Sequence, residues 1–140
     1  MVKNGVILTG GTGSRLSPLT NTINKHLVPV NGKFIIDYPL QTLKNICVEN
    51  LNVVLGGNHF EQIVEYLKDG SEFGFNINYV YQKEPKGISQ AINLCKRFLL
   101  DQEHFVVILG DNLYKYPISI KILPNKAKVV LIKHPELKKF

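Results

Sequence analysis

The sequence predicts an α/β protein in which a largely parallel sheet carries helices on both faces, as a three-layer sandwich. Short runs rich in Val, Ile and Tyr alternate along the chain with segments whose apolar residues recur at helical spacing. Such alternation is typical of strand–helix–strand units, whose helices cover a parallel sheet. With 140 residues, 44% of them hydrophobic and 20% charged, the chain suits a single domain, residues 1–140, with its own core.

Five apolar runs are predicted to form the strands: residues 5–8, 52–55, 77–81, 105–109 and 128–132. Each run is short and rich in the branched and aromatic side chains that strands favour. In a parallel sheet of this kind, ligands bind beyond the carboxyl ends of the strands. The residues that follow the runs are therefore the first candidates for a functional site.

Three helices are predicted between the strands, over residues 35–47, 61–68 and 89–100. The first carries an apolar stripe that ends at Cys47. Asn58, with Glu61 three residues later, predicts a capping box at the start of the second helix. Ser89 is the expected N-cap of the third.

Cysteine and histidine usage indicates neither a disulfide framework nor a metal cluster. Cys47 and Cys95 are the only cysteines, without a C-x-x-C pair, and both are expected to be core thiols.

No apolar run approaches the ~20 residues that span a bilayer, and no signal peptide is visible. We therefore expect a cytoplasmic protein that has no membrane partner.

The formal net charge of +6 is concentrated near the end of the chain, where six of the last twenty residues are lysines. No recognised nucleic-acid motif or stacking array of aromatic residues accompanies them, so nucleic acid is not the expected partner. Most of these lysines are expected to be solvated surface. A few positive residues around one cleft would be enough to attract a nucleotide.

A glycine loop just after the first strand is the strongest functional signal in the chain. The loop consists of Gly10, Gly11, Thr12, Gly13 and Ser14. Glycines let successive backbone amides point at one anion, and the guanidinium of Arg15, which follows at once, matches phosphate oxygens. We therefore predict a site that grips the phosphates of a nucleotide.

Two better-known glycine loops do not fit this segment. The chain contains no Gly-Lys-Ser/Thr triplet, which a P-loop needs. The dinucleotide-binding fingerprint also fails, because counting from Gly11 its third glycine position holds Leu16. An ordinary tight turn between a strand and a helix is the remaining alternative.

The longer string G-G-x-G-x-R-L-x-P-x-T, followed by KHLVPV, resembles the signature of the sugar-1-phosphate nucleotidyltransferases, with the glucose-1-phosphate thymidylyltransferase group as the nearest likeness. The likeness continues in order through YPL, GSEFG, PKGISQA and LGDN. It implies a Rossmann-like fold of the nucleotide-diphospho-sugar transferase type. The chain matches only about the N-terminal half of a usual member, so the fold is expected to be truncated, without a second metal-binding carboxylate and most of the sugar pocket.

The resemblance implies a reaction in which a sugar-1-phosphate attacks the α-phosphorus of a nucleoside triphosphate and releases pyrophosphate. Arg15 and Lys25 would be catalytic, Arg15 on the β- and γ-phosphates and Lys25 near the α-phosphate. Asp111 follows an apolar strand and would bind nucleotide and Mg²⁺, with an Asx turn as the structural alternative. Lys33 is undecided, because the family often has Lys-Pro where this chain has Lys33-Phe34.

The resemblance also implies that the base is held by residues after the third strand. Gln82 has an amide that can donate and accept at once, and Gly87 would bring a backbone amide to the base edge. Pro85 and Ile88 belong to the same implied site. The Gly-Ile-Ser-Gln-Ala run favours dTTP or UTP over CTP, whereas Lys86 stands where the thymidylyl group usually has an acidic residue.

Two hypotheses of function share these motifs. One is an enzyme that makes a nucleotide-activated hexose, and the other is a non-catalytic nucleotide-binding remnant or subunit, which the short length favours. A sheet that stops after about five strands would expose an edge and apolar helix faces. We therefore expect a homo-oligomer or a partner chain.

Overall fold

The computed structural model of the protein describes residues 2–100, 102–114, 116–118 and 126–129. Its centre is a four-stranded parallel sheet. A separate antiparallel hairpin is formed by β2 (Pro29–Val30) and β3 (Lys33–Phe34). The sheet strands are β1 (Asn4–Thr9), β4 (Asn50–Leu55), β5 (Asn76–Tyr81) and β6 (Phe105–Leu109), in the spatial order β5-β4-β1-β6.

The described α-helices are α1 (Asp37–Asn45), α2 (Glu61–Leu67), α3 (Ile88–Leu94) and α4 (Lys96–Leu99). Short 3-10 turns lie at Ser14–Leu16, Leu19–Asn21, Lys25–Leu27 and Ser71–Phe73. In the part of the chain that the structure describes, no helix has the length and hydropathy needed to cross a membrane.

The alternation of side chains along β1 divides the core between the two faces of the sheet. Ile7 packs on one face with Leu43 of α1 and Ile63 of α2. The cluster on the other face contains Val6, Leu8, Val54, Ala91, Cys95 and Leu99. Because helices bury both faces, the predicted three-layer sandwich is confirmed.

The first four predicted strands are confirmed, and β1, β4 and β5 extend one or two residues beyond the predicted ends. The hairpin of β2 and β3 was not predicted, because two-residue strands are too short to show a period. Of the fifth predicted strand, residues 128 and 129 have no regular secondary structure, and residues 130–132 lie outside the described residues.

Cys47 is exposed, so the expectation of two core thiols is wrong for this residue. The helix α1 ends at Asn45, and the chain then turns at Cys47 with a left-handed φ of 65°. The amide of Val48 donates to the Leu43 carbonyl at 3.1 Å, and Val48 enters the core in place of Cys47. Cys95 is buried as expected, and burial raises the pKa of its thiol to about 11.

Neither predicted helix cap is made. The helix α2 begins at Glu61 without a side-chain cap. The backbone carbonyl of Asn58 accepts a hydrogen bond from Asn24 Nδ2 at 3.0 Å. The helix α3 begins at Ile88, so Ser89 lies inside its first turn. The single helix predicted here is divided into α3 and α4.

Candidate functional site

Four loops meet at one edge of the sheet because its strands are parallel and in register. The pairing places the carboxyl ends of β5, β4, β1 and β6 side by side. The residues just beyond these ends are Gly10, Gly56, Gln82 and Gly110. The structure therefore brings three of the sequence motifs together at the edge where ligands of such sheets bind.

The glycine loop presents unpaired backbone amides at this edge. Gly11 and Gly13 have φ values of 103° and 66°, and Ser14–Leu16 forms a 3-10 turn. Thr20 Oγ1 donates to the Gly13 carbonyl at 2.8 Å and holds the turn in place. From Gly11 to Arg15, no backbone N–H donates to another described residue. A run of unpaired amides of this kind can bind an anion.

Arg15 is exposed beside these amides, and its side chain forms no hydrogen bond or ion pair with any other described residue. Thr12 and Ser14 are exposed as well, whereas Gly10 and Gly13 are partly covered. Because no described carboxylate competes for it, the guanidinium is available to bind phosphate oxygens through two parallel hydrogen bonds.

The turn after β4 supports the glycine loop by direct backbone contact. Gly57 has a φ of 74°, and a Cβ atom at this position would lie 2.3 Å from the Gly11 carbonyl oxygen. A Cβ atom on Gly56 would lie 3.6 Å from Gly10 Cα. The two glycine turns are therefore packed closely enough that a side chain on Gly57 must displace the loop.

Gly57→Ala is expected to destabilise the protein by about 1–3 kcal/mol more than Gly32→Ala, because it adds a steric clash to the strain of a positive φ. Gly32 is the matched control, since its φ is 77° but no atom lies within 4 Å of a Cβ there. Urea unfolding midpoints measure both losses. Equal losses would contradict the contact between the two turns.

Lys25 and Asp111, separated by 86 positions, form an ion pair at this edge, with Nζ 2.8 Å from Oδ2. Lys25 lies against the glycine loop, since its Nζ is 3.4 Å from where a Cβ on Gly11 would stand. Burial would raise the pKa of Asp111, but the hydrogen bond and the charge of Lys25 outweigh it and lower that pKa below its usual value. The carboxylate is therefore ionised at neutral pH.

His26 is a buried member of the site that the sequence did not single out. The residue is 1% exposed, Nδ1 donates to Asn24 Oδ1 at 2.8 Å, and Nε2 has no partner among the described residues. A Cβ on Gly110 would lie 2.8 Å from His26 Cδ2, so the ring packs directly against the residue before Asp111. Burial and the charge of Lys25 lower the pKa of His26 to about 3, so the ring is neutral.

Gln82 is held at the end of β5 by both its backbone and its side chain. Its amide N–H donates to the Leu55 carbonyl at 2.8 Å, which continues the sheet pairing by one residue. The residue is 8% exposed, and Nε2 donates to Gln90 Oε1 at 2.5 Å and to the Gly87 carbonyl at 3.4 Å. The structure thus joins Gln82 to Gly87 and to Gln90, a contact that the sequence did not indicate.

The remaining predicted residues lie in less constrained places. Pro85 and Ile88 are exposed in and just after the loop that follows β5. Lys86 pairs with Glu84, Nζ to Oε2 at 2.7 Å. Lys33 lies in the hairpin and lines a hollow beside α1, and it makes no described bond with the Lys25–Asp111 pair.

The strand order and the two buried faces place the chain among the doubly wound α/β proteins, with a glycine loop after the first strand. Residues 4–130 match the nucleotidyl transferase family, and the chain belongs to that family. The resemblance found in the sequence motifs is confirmed.

Individual relatives agree with this assignment. The chain is 43% identical over 111 residues to the low-salt glycan biosynthesis nucleotidyltransferase Agl11 of Haloferax volcanii, and the match covers 79% of this chain and 31% of the relative. It is 36% identical over 107 residues to a glucose-1-phosphate thymidylyltransferase of Streptomyces griseus, covering 76% and 30%.

A solved structure matches the fold as well. A crystal structure from Bacillus anthracis, described as a glucose-1-phosphate thymidylyltransferase in complex with a sucrose, superposes with a TM-score of 0.75 at 40% identity. The match covers 81% of this chain and 46% of that one. The chain spans about a third of the length of the curated relatives it matches.

Proposed function

We propose that this chain is the nucleotide-binding part of an enzyme that joins glucose-1-phosphate to dTTP or UTP and releases pyrophosphate. The observation that carries the proposal is the run of backbone amides from Gly11 to Arg15 that donate to no other described residue, with the Lys25–Asp111 pair against it. The relatives named glucose-1-phosphate thymidylyltransferase support the sugar and, of the two nucleotides, dTTP. Because the chain spans only part of those relatives, the activity of the whole protein belongs to the proposal.

Charge is the chemical problem in this reaction. A sugar-1-phosphate is largely dianionic at neutral pH, because its second pKa is about 6, so its attack needs no strong base. Catalysis then consists of positioning the two reactants and stabilising charge as one anion approaches another. The amides would hold the triphosphate, Arg15 would bind the β- and γ-oxygens and the departing pyrophosphate, and Lys25 would bind near the α-phosphate.

Asp111 suits Mg²⁺ as one ligand among several. Its side chain is ionised and 42% exposed, and Lys25 bonds only to Oδ2. Mg²⁺ usually takes one or two carboxylates together with waters and substrate phosphates. When bound, the ion supplies further neutralisation of phosphate charge. The described residues contain no group of three His, Cys, Asp or Glu side chains placed to hold a metal, so phosphate oxygens would complete the site.

A second candidate is a nucleotide-binding chain whose catalysis needs another chain. The observation that favours it is that Asp111 belongs to no group of three His, Cys, Asp or Glu side chains among the described residues, so the chain offers only part of a metal site there. Both candidates need the same nucleotide site. The homo-oligomer or partner chain and the cytoplasmic location stay predictions.

Nucleotide binding to the full chain tests the proposal. Calorimetry is expected to show tighter binding of dTTP and UTP than of ATP and GTP, because a purine would overfill a pocket built for a pyrimidine. Arg15→Ala is expected to weaken triphosphate binding by roughly 1.5–3 kcal/mol, the scale of a hydrogen bond to a charged group.

Arg97→Ala is the matched control for charge. Arg97 lies in α4, the later of the two helices that connect β5 to β6, and so lies away from the carboxyl ends of the strands. Its guanidinium stacks 4.5 Å from the Phe98 ring centroid. This variant should change affinity by less than about 0.5 kcal/mol. Unchanged triphosphate binding in Arg15→Ala would contradict the phosphate site, and equal binding of ATP would contradict the pyrimidine assignment.

A further inference from the structure

We infer that Asn24, a buried residue outside the sequence motifs, is a positioning residue for the lysine that follows it. Its side chain fixes the backbone from which Lys25 extends, so that the ammonium group lies beside the glycine loop before a nucleotide binds. The inference rests on the proposed function, which assigns Lys25 to the phosphates but does not say what keeps its flexible side chain there.

The side-chain amide of Asn24 uses its whole hydrogen-bonding capacity inside the protein. Oδ1 accepts from the backbone N–H of His26 at 3.0 Å and from His26 Nδ1 at 2.8 Å. Nδ2 donates to the backbone carbonyls of Asn58 at 3.0 Å and His59 at 3.3 Å. The residue is 1% exposed. Because a primary amide has two hydrogens and two lone pairs, Asn24 can affect a ligand only through the residues that it holds.

The partners of Asn24 also fix which way its amide faces. A backbone N–H only donates and a backbone carbonyl only accepts, so the oxygen must face His26 and the nitrogen must face Asn58. If the amide turned over, its N–H groups would face the N–H of His26, and its oxygen would face two carbonyl oxygens. The side chain is therefore a fixed link between the loop that carries Lys25 and the turn after β4.

The backbone of Asn24 is held as well. The residue is the N-cap of the 3-10 turn Lys25–Leu27, through its bond from the His26 N–H. Its own N–H donates to Gln62 Oε1 at 2.8 Å, and Gln62 Nε2 donates to the Thr22 carbonyl at 3.0 Å. The helix α2 and the turn after β4 thus both fix the chain just before Lys25.

A fixed backbone decides where the ammonium group lies, because the stem of Lys25 is confined. The side chain is 21% exposed. Its Cβ lies 2.9 Å from where a Cβ on Gly13 would stand, and its Nζ lies 3.4 Å from the equivalent point on Gly11. A lysine that is free in solution loses rotamer freedom when it binds, and confinement beforehand reduces that cost. Asp111 bonds to the tip of this side chain, and Asn24 sets its base.

The test is a double-mutant cycle that combines Asn24→Ser with Lys25→Met and measures the dissociation constant of dTTP for the full chain. Serine can still cap the turn by accepting from the His26 N–H, but it is too short to reach the two carbonyls. We expect Asn24→Ser to weaken dTTP binding about fivefold when Lys25 is present, and less than about twofold in the Lys25→Met protein. The effect is lost there because the ammonium group that Asn24 positions is gone.

Asn52→Ala is the matched control for loss of stability. Asn52 is also 1% exposed, and its Nδ2 donates to the Gly5 carbonyl at 3.2 Å, but it lies in the first half of β4, away from the carboxyl ends of the strands. Its replacement leaves a cavity and should lower the urea midpoint. It should change the dissociation constant of dTTP by less than about twofold. A loss of affinity as large as that of Asn24→Ser would overturn the inference.

An equal loss from Asn24→Ser with and without Lys25 would also overturn it, since Asn24 would then act through the glycine loop and its supporting turn. Unchanged dTTP binding in Asn24→Ser would do the same. Either result leaves the proposed function intact, whereas absence of binding by the wild-type chain would overturn both proposals. If Asn24→Ser does not fold, Gln62→Met gives the same cycle, because it releases the backbone of the same residue.

Discussion

Lowering the pH from about 6.5 to about 5 is expected to destabilise the folded protein by about 2 kcal/mol through His26. Burial, with the charge of Lys25, lowers the pKa of this ring from 6.5 to about 3, against the opposing effect of Asp111. The unfolded chain therefore takes up a proton below pH 6.5 that the folded protein accepts only near pH 3. The contribution of the neutral His26 ring to the free energy of unfolding is therefore complete above pH 6.5 and is lost as the pH falls toward 3.

His26→Gln is expected to flatten this dependence, because glutamine does not titrate and its amide can still donate to Asn24 Oδ1. Denaturant midpoints at several pH values would measure the effect. Comparing each protein with itself at about pH 8, where the ring is neutral in both states, separates the cost of altered packing from that of protonation. If the free energy of unfolding of the variant falls with decreasing pH as steeply as that of the wild type, another group is responsible for the effect.

Asp111→Asn is expected to change triphosphate affinity in opposite directions with and without Mg²⁺. Without the ion, the carboxylate repels phosphate and holds Lys25, so the variant should bind dTTP up to about tenfold more tightly. With Mg²⁺, the variant lacks a ligand for the ion and should bind up to about tenfold more weakly. The ratio of the variant's dissociation constant to that of the wild type should therefore change by up to about a hundredfold when Mg²⁺ is added. Titration of both proteins with dTTP, with and without excess Mg²⁺, measures this change.

Glu103→Gln is the matched control for this prediction. Glu103 precedes β6, whereas Asp111 follows it, so the two carboxylates lie at opposite ends of the same strand. Its replacement removes the same charge but should leave the effect of Mg²⁺ unchanged. If Asp111→Asn weakens binding equally in both conditions, Asp111 acts on the nucleotide through packing and not through a cation.

The features that the sequence determined are those that depend on neighbouring residues. Short apolar runs alternating with helical stripes were enough to predict the parallel sheet, four of its strands and the helices on both faces, because side-chain periodicity is a local property. The glycine loop could also be recognised in the sequence, because glycine is the residue that most readily adopts the positive φ found at Gly11 and Gly13. The motifs also identified the family.

Only the tertiary structure decided how those residues act on one another. The register of parallel strands brings Asp111 onto Lys25 across 86 positions, and packs His26 against Gly110 so tightly that its ring stays neutral. The exposure of Cys47 likewise depends on where a helix ends. The charge state, burial and hydrogen bonds of a residue are set by the groups that surround it in space. A periodic pattern along the chain does not specify which groups those are.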